Sequence, residues 1–261
     1  MRILVTGAAG RAATGLRPVL IDHGHELVLQ DLVAPVAPVG RLERLVLGDL
    51  NDERVLEEAF AKGLDAVVHM GGHSGERPWS DLVDANLLGT QRILSASHDH
   101  GVQRVLLASS THIAGFWPTA VARRPGLPPR PDSLYGVSKV AVEALGSVYA
   151  DRFGMLVVAA RIGTVEAEPT NVRALSTWLS FPDLGRLVEA VLRTDAVGFH
   201  PVWAVSANSR GWFPLEPGHR IGYRPVDDAE TYAAEIDLEA TPDTLIGGAF
   251  TDLGRPLGGV W

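Results

Sequence analysis

Residues Ile3-Leu4-Val5-Thr6-Gly7-Ala8-Ala9-Gly10-Arg11-Ala12-Ala13 decide how this chain folds. Ile3-Leu4-Val5 is a short unbroken apolar run, the pattern of a strand buried on both faces of a parallel sheet. It leads into a turn with the spacing Gly-x-x-Gly-x-x-Ala, and a helix is expected over 12–24. A glycine turn so placed, between strand and helix, is the dinucleotide-binding arrangement. Gly7 permits the tight turn, Gly10 lets a pyrophosphate reach the backbone at the helix N-terminus, and Ala13 packs the helix on the strand. An ordinary strand–helix turn is the plainer alternative.

The next elements extend the pattern. A second strand over 26–31 ends in Asp31, 24 residues after Gly7, where an acid takes the hydroxyls of an adenosine ribose. Such an acid repels a 2′-phosphate, so it argues for NAD over NADP; Arg11 in the glycine turn is the one dissenting residue. Apolar runs over 45–47 and 65–70 give a third and fourth strand. Between them lie Asp49-Leu50 and a helix over 52–61, with Asn51 a candidate N-cap. The fourth strand ends at Met70-Gly71-Gly72, at the edge where ligands bind open parallel sheets. A polar loop with Ser74 leads into a helix over 79–98 that contains Asn86-x-x-Gly89-Thr90, a costly insertion for a helix. The fifth strand, over 104–108, runs into Ser109-Ser110-Thr111-His112, hydroxyls and an imidazole suited to a substrate hydroxyl or to plain turn chemistry. The sixth, over 155–160, is followed by Arg161-Ile162-Gly163-Thr164 and a polar segment with Arg173. An arginine there either binds a carboxylate by a paired fork or stands exposed. A further strand is expected over 202–206 and a last short helix over 229–235. Alternating strands and helices predict a doubly wound α/β fold of Rossmann type, with six or seven parallel strands. A small C-terminal part, with the loops after strands four to six, would build the substrate site. We expect one domain over 1–261, with 1–160 mainly dinucleotide-binding and 161–261 mainly substrate-binding.

Size and composition fit that picture. The 261 residues are 46% hydrophobic and 21% charged, enough apolar material for a sizeable core. A formal charge of −8 without any basic block argues against nucleic acid and anionic membrane as partners. The absence of cysteine excludes disulfides, thiolate metal sites and cysteine nucleophiles. The apolar run at the start is too short for a signal peptide, and nothing approaches a membrane span. A cytoplasmic enzyme without a metal is the default.

After a loop with five prolines come Leu134-Tyr135-Gly136-Val137-Ser138-Lys139 and a helix expected over 138–149. Tyr135 and Lys139, four apart, share one helix face. A free tyrosine, with a pKa of about 10, is a poor base at neutrality, and bringing it there needs roughly 4 kcal/mol. A lysine cation, helped by an oxidised nicotinamide, could supply that in a poorly hydrated site. Alone, the spacing Tyr-x-x-x-Lys is common on exposed helices, and only the rest of the chain gives it weight.

Gly7-x-x-Gly10, Asp31, Asp49-Leu50, Asn86-x-x-Gly89-Thr90, Ser109-Ser110 and Tyr135-x-x-x-Lys139 stand in an order that resembles the extended, sugar-epimerase-like branch of the short-chain dehydrogenase/reductases. The segments 108–112, 134–139, 161–164, 168–178 and 202–212 look like those of the uronate dehydrogenases. That resemblance implies an NAD-dependent oxidation of D-galacturonate or D-glucuronate at C1, giving an aldarolactone. It implies Tyr135 as base, Lys139 as its activator and Ser110 on the reacting hydroxyl. The cofactor would meet Gly7, Ala9, Gly10, Arg11, Ala12, Asp31, Asp49, Leu50, Met70, Gly71, Gly72, Asn86, Ser109, Tyr135, Lys139 and Ile162. The sugar would meet Ser74, Ser110, Thr111, His112, Tyr135, Thr164 and Arg173, with Arg173 on the carboxylate. A homo-oligomer is implied as well. Thr111 stands where asparagine is usual and Thr164 where serine is, changes that touch sugar preference more than reaction. One competing reading is a nucleotide-sugar epimerase or reductase, which shares the cofactor motifs but usually has a larger C-terminal region. Another is an NAD-sensing regulator without chemistry, a class that commonly loses the Tyr/Lys pair kept here. The sequence leaves open whether the tail after Thr241 docks on its own subunit, and whether Phe250 caps a site or simply packs.

Overall fold

A computed structural model describes residues 1–236 and 243–261. Seven parallel strands form one sheet in the order β3-β2-β1-β4-β5-β6-β9, so the chain starts in the middle and winds outward both ways. The strands are β1 (Arg2–Thr6), β2 (Glu26–Asp31), β3 (Glu43–Leu47), β4 (Ala66–His69), β5 (Arg104–Ser110), β6 (Leu156–Ile162) and β9 (Gly198–Ala204). Side chains alternate between faces, so Ile3 and Val5 pack toward α1 (Arg11–Asp22) and α7 (Phe181–Arg193), where Leu16, Leu20, Leu184 and Leu187 join them. Leu4, Val67 and Val105 pack the other way, against α2 (Glu53–Phe60), α4 (Gly89–Asp99) and α5 (Leu134–Phe153), through Leu56, Ile93 and Val142. The sheet is thus covered on both faces, as the unbroken apolar runs required.

Several boundaries differ from the expected ones, each for a local reason. β5 and β6 continue to Ser110 and Ile162 because the parallel register pairs Ser109 with Arg161 and Ser110 with Ile162. Apolar periodicity cannot see polar residues held in a ladder. The helix carrying Tyr135 and Lys139 begins at Leu134 rather than 138, since Ser133 Oγ accepts from the Gly136 N–H and caps it. It ends at Gly154, in the left-handed conformation at φ 69°. Asp52, not Asn51, caps α2 by accepting from Arg54 N. The expected helix over 79–98 is α3 (Trp79–Leu82), a turn of π-helix (Val83–Leu88) and then α4. Within the π turn Asn86 O accepts from Thr90 Oγ1 at 2.5 Å, the local disturbance that Asn-x-x-Gly-Thr foreshadowed. Residues Ala229–Glu235 form a 3-10 helix. A small ribbon of β7 (Thr164–Val165) and β8 (Trp178–Leu179), with α6 (Ala174–Thr177) and α8 (Glu216–Arg220), makes up the C-terminal part. Thr241 lies outside the described residues. From Asp243 the tail packs on its own chain, with Ile246 N donating to Trp117 O and Gly247 N to Gly115 O. No helix among the described residues is long and apolar enough to cross a membrane.

Candidate active site

Every parallel strand presents its C-terminal end to the same edge, and the sequence order of motifs becomes a spatial row there. After β1, Gly7 adopts φ +66°, and a Cβ on it would lie 2.7 Å from Met70 O at the end of β4. Only glycine fits both demands. The α1 N-terminus that follows has no side-chain cap and no acid in its first turn. Its free N–H groups and positive dipole end are therefore available to an anion. Asp31, at the end of β2, accepts from Ala9 N at 2.8 Å and so fixes the glycine turn, its carboxylate at the rim. Gly7, Gly10, Asp31, Asp49, Leu50 and Gly72 line a cavity of about 800 Å³. The uncapped helix end, the close glycine backbone and the acid at the rim fit a dinucleotide without a 2′-phosphate.

A second cavity of about 460 Å³ adjoins the first, sharing Gly7, Gly10, Met70, Gly72 and His73. Ser74, Ser110, His112, Tyr135, Lys139 and Thr164 line it. Gly136 allows this convergence: a Cβ there would lie 2.6 Å from His112 O, so α5 can press its first turn against the end of β5. Ser110 Oγ accepts from His112 N at 3.2 Å and sits beside the Tyr135 phenol, whose ionised form it favours. Lys139 Nζ lies 5.7 Å from the Tyr135 ring centre and donates to Ala108 O at 2.9 Å. Burial lowers the Lys139 pKa to about 8, which still leaves it mostly charged at neutrality. Burial pushes the Tyr135 pKa up to about 12; the Ser110 bond opposes this and the Asp132 charge adds to it. The expected lowering of that pKa is therefore not a property of the protein alone.

The sequence profile of the NAD dependent epimerase/dehydratase family matches residues 3–180. A uronate dehydrogenase of Pseudomonas syringae pv. tomato is 40% identical over 97% of this chain and 94% of that protein. One from Agrobacterium fabrum is 39% identical over 96% and 97%. Among solved structures, a uronate dehydrogenase from Agrobacterium tumefaciens, a tyrosine-to-alanine variant complexed with NAD, superposes with a TM-score of 0.88 at 38% identity, covering 98% of each chain. A glucuronic acid dehydrogenase from Chromohalobacter salexigens gives 0.90 at 34% identity, also covering 98% of each. The chain belongs to the NAD dependent epimerase/dehydratase family. Within it the chain groups with the uronate dehydrogenases, and it is an NAD-dependent oxidoreductase.

Against that membership, the remaining candidate residues fall into place unevenly. Ala9 lines the larger cavity, and Arg11, Ala12, Ser109 and Ile162 the smaller one. The Arg11 side chain is exposed and pairs with Glu166 at 3.1 Å. Ser109 spends its hydroxyl on Glu143 at 2.6 Å, and Glu143 holds Arg161 by a fork of two 2.9 Å bonds. Asn86 lines neither cavity. Its amide accepts from His73 N and donates to His73 O and Ser138 Oγ, so it fastens the loop after β4 to α5. Thr111 is buried and also lines neither cavity. Arg173 stands outside the smaller cavity, paired with Asp243 at 3.3 Å and stacked over the Trp212 ring. Its pKa is lowered by burial, a shift that Asp243 and Asp132 oppose. Phe250 stacks on the His112 ring at 3.9 Å between centres and approaches Tyr135 at 6.3 Å.

Four groups packed around the candidate site are not among the residues the sequence singles out. Buried Asp132 accepts from His112 Nδ1 at 2.7 Å and so fixes the ring of a residue that lines the cavity. His69, bridging Thr6 at 2.7 Å and Thr90 at 3.1 Å beneath Gly71, is held neutral by burial, its pKa near 3. Asp243 and Glu76 are the others. All four lie in segments without periodicity or motif spacing, or within a strand that reads as apolar; a signal was present only for Asp132, in its neighbour Ser133, a cap residue.

Proposed function

We propose that the chain oxidises C1 of a hexuronate, D-galacturonate or D-glucuronate, with NAD as acceptor and an aldarolactone as product. The observation that carries this reading is the convergence of Ser110, Tyr135 and Lys139 in a small cavity adjoining the dinucleotide-shaped one. Ser110 holds the C1 hydroxyl, Tyr135 takes its proton, and Lys139 stabilises the phenolate. NAD, when bound, accepts the hydride and brings a positive ring to the site. The product is a lactone because the sugar ring stays closed. Asp132 fixes His112 for a sugar hydroxyl, Ser74 and Thr164 face the same space, and Arg173 pairs with the C6 carboxylate. The smaller cavity suits a monosaccharide better than a sugar carrying a nucleotide, which disfavours the epimerase reading. A cytoplasmic homo-oligomer completes the proposal.

NADH appearance with purified protein, NAD and either uronate tests it. We expect turnover with the uronates, and rates at least tenfold lower with D-galactose or with NADP in place of NAD. A site that hydrogen-bonds a charged group rejects the analogue lacking it. No NADH with either uronate would discard the substrate and direct the search to nucleotide sugars.

A further inference from the structure

Glu76 is fully buried in the loop after β4, and among the described residues no basic side chain pairs with it. Among the described residues, its carboxylate is held by backbone N–H groups alone. Oε2 accepts from Tyr135 N at 2.8 Å, and Oε1 accepts from Leu134 N at 3.2 Å and from Gly258 N at 2.9 Å. Leu134 and Tyr135 open α5, where N–H groups have no partner inside the helix. Glu76 takes those two and Ser133 takes the next, at Gly136, so the whole first turn is satisfied from outside the helix. A carboxylate at that end also meets the positive pole of the helix. The third bond reaches a different part of the chain. Gly258 lies near the end of the tail, in the left-handed region at φ +73°, and a Cβ on Gly75 would lie 3.1 Å from Trp261 O. The same tail carries Phe250 onto His112, and Trp261 meets Phe250 edge to face at 4.7 Å. One carboxylate therefore joins the loop that carries Ser74, the first turn that carries Tyr135, and the segment that roofs both.

We propose that Glu76 is a positioning residue that couples the seating of the C-terminal tail to the placement of Tyr135. With Gly258 docked, the roof is closed and the first turn of α5 is held by both oxygens. With the tail released, Glu76 loses one of its three ties and Tyr135 gains freedom. The inference rests on the proposed oxidation for its kinetic part only, because backbone exchange reports the coupling without any substrate.

Two variants test it, Glu76→Gln and a chain ended after Pro256. Glutamine keeps the shape but turns an NH2 group toward N–H donors, so at least one of the three bonds is lost. In Glu76→Gln we expect hydrogen exchange to quicken together in peptides spanning 134–136 and 251–261. We expect kcat with uronate to fall about ten- to a hundredfold, since a small misplacement of a reacting group has that effect, and NAD affinity to hold within about twofold. The shortened chain leaves Glu76 and α5 untouched. Faster exchange at Leu134 and Tyr135 there, with a raised KM for uronate, supports the coupling. A purely structural Glu76 would lower the melting temperature of the Gln variant at unchanged kcat. It would also leave exchange at 134–136 unaltered in the shortened chain; either result overturns the proposal. If Glu76→Gln does not fold, the shortened chain decides alone. If the wild type does not oxidise uronates, the exchange measurements still decide the coupling, while the kinetic loss falls with the functional reading.

Discussion

Tyr135→Phe is expected to lower kcat for uronate oxidation by three orders of magnitude or more, while NAD binds with nearly wild-type affinity. The ring survives and only the hydroxyl is removed, so the packing of Tyr135 near His112 and Phe250 is retained. What disappears is the proton acceptor, and a positioned acid–base group contributes about 10²–10⁴-fold. The proton balance sharpens this expectation. Alone, the protein holds the Tyr135 pKa at about 12, with burial the main cause. Bringing that phenol to neutrality requires about 7 kcal/mol, at about 1.4 kcal/mol for each pH unit. Lys139, charged at neutrality and 5.7 Å from the ring centre, is already part of that balance, so the positive nicotinamide ring must provide much of the difference. The sign follows. The phenol must lose its proton before it can act as base, so kcat/KM for uronate at saturating NAD rises with pH. Its apparent pKa should lie several units below 12. Without NAD, phenolate absorbance from Tyr135, taken as wild type minus Tyr135→Phe, should be absent through pH 10. A Phe variant that turns over normally, or a phenolate already present near neutrality without cofactor, would sink this account.

Much of the arrangement behind that prediction can be read from the chain directly. The strand–glycine turn–helix at 3–13, the acid at 31 and the strand ends at 70–72 and 109–110 each fall at the sheet edge where they were expected. Period-two burial and apolar runs report strands well when both faces are covered, as in β1, β4 and β5. The signal fails where a polar residue belongs to an element for non-local reasons. Ser109 and Ser110 extend β5 because β6 lies alongside, and α5 starts four residues early because Ser133 caps it. Chemistry carried by single contacts over long separations is hidden in the same way. Glu76 meets Tyr135 across 59 positions and Gly258 across 182, and nothing local marks it. Asn86 shows the opposite case: it carries a motif, and its amide bonds to His73 and Ser138. A motif gives the residue type a place needs, and only the neighbours decide whether the side chain faces a ligand or the protein.

Arg173 is where that distinction matters most, and Arg173→Ala is expected to raise KM for uronates by about a hundredfold or more with NAD affinity unchanged. Truncating one partner of a buried, hydrogen-bonded charge pair costs about 2–5 kcal/mol, or roughly 30- to 4000-fold in affinity. The guanidinium stands at the N-terminus of α6, over the Trp212 ring, with Gly248 of the roofing segment close by. Its present partner is Asp243, through a single 3.3 Å contact from Nη1 to Oδ2. One long contact uses little of a group with five donors, and a sugar carboxylate can offer it a parallel fork. On the proposed function, Asp243 would be a placeholder that keeps the cation paired until a uronate carboxylate takes over. Two consequences separate this from a merely structural ion pair. Arg173→Lys should recover only part of the loss, because an ammonium keeps the charge without the fork. Asp243→Asn should lower KM for uronate, since the competitor loses its charge, whereas breaking a structural pair would raise it. Unaltered uronate kinetics in Arg173→Ala would remove Arg173 from the substrate site and leave His112, Ser74 and Thr164 to explain any preference for an acidic sugar.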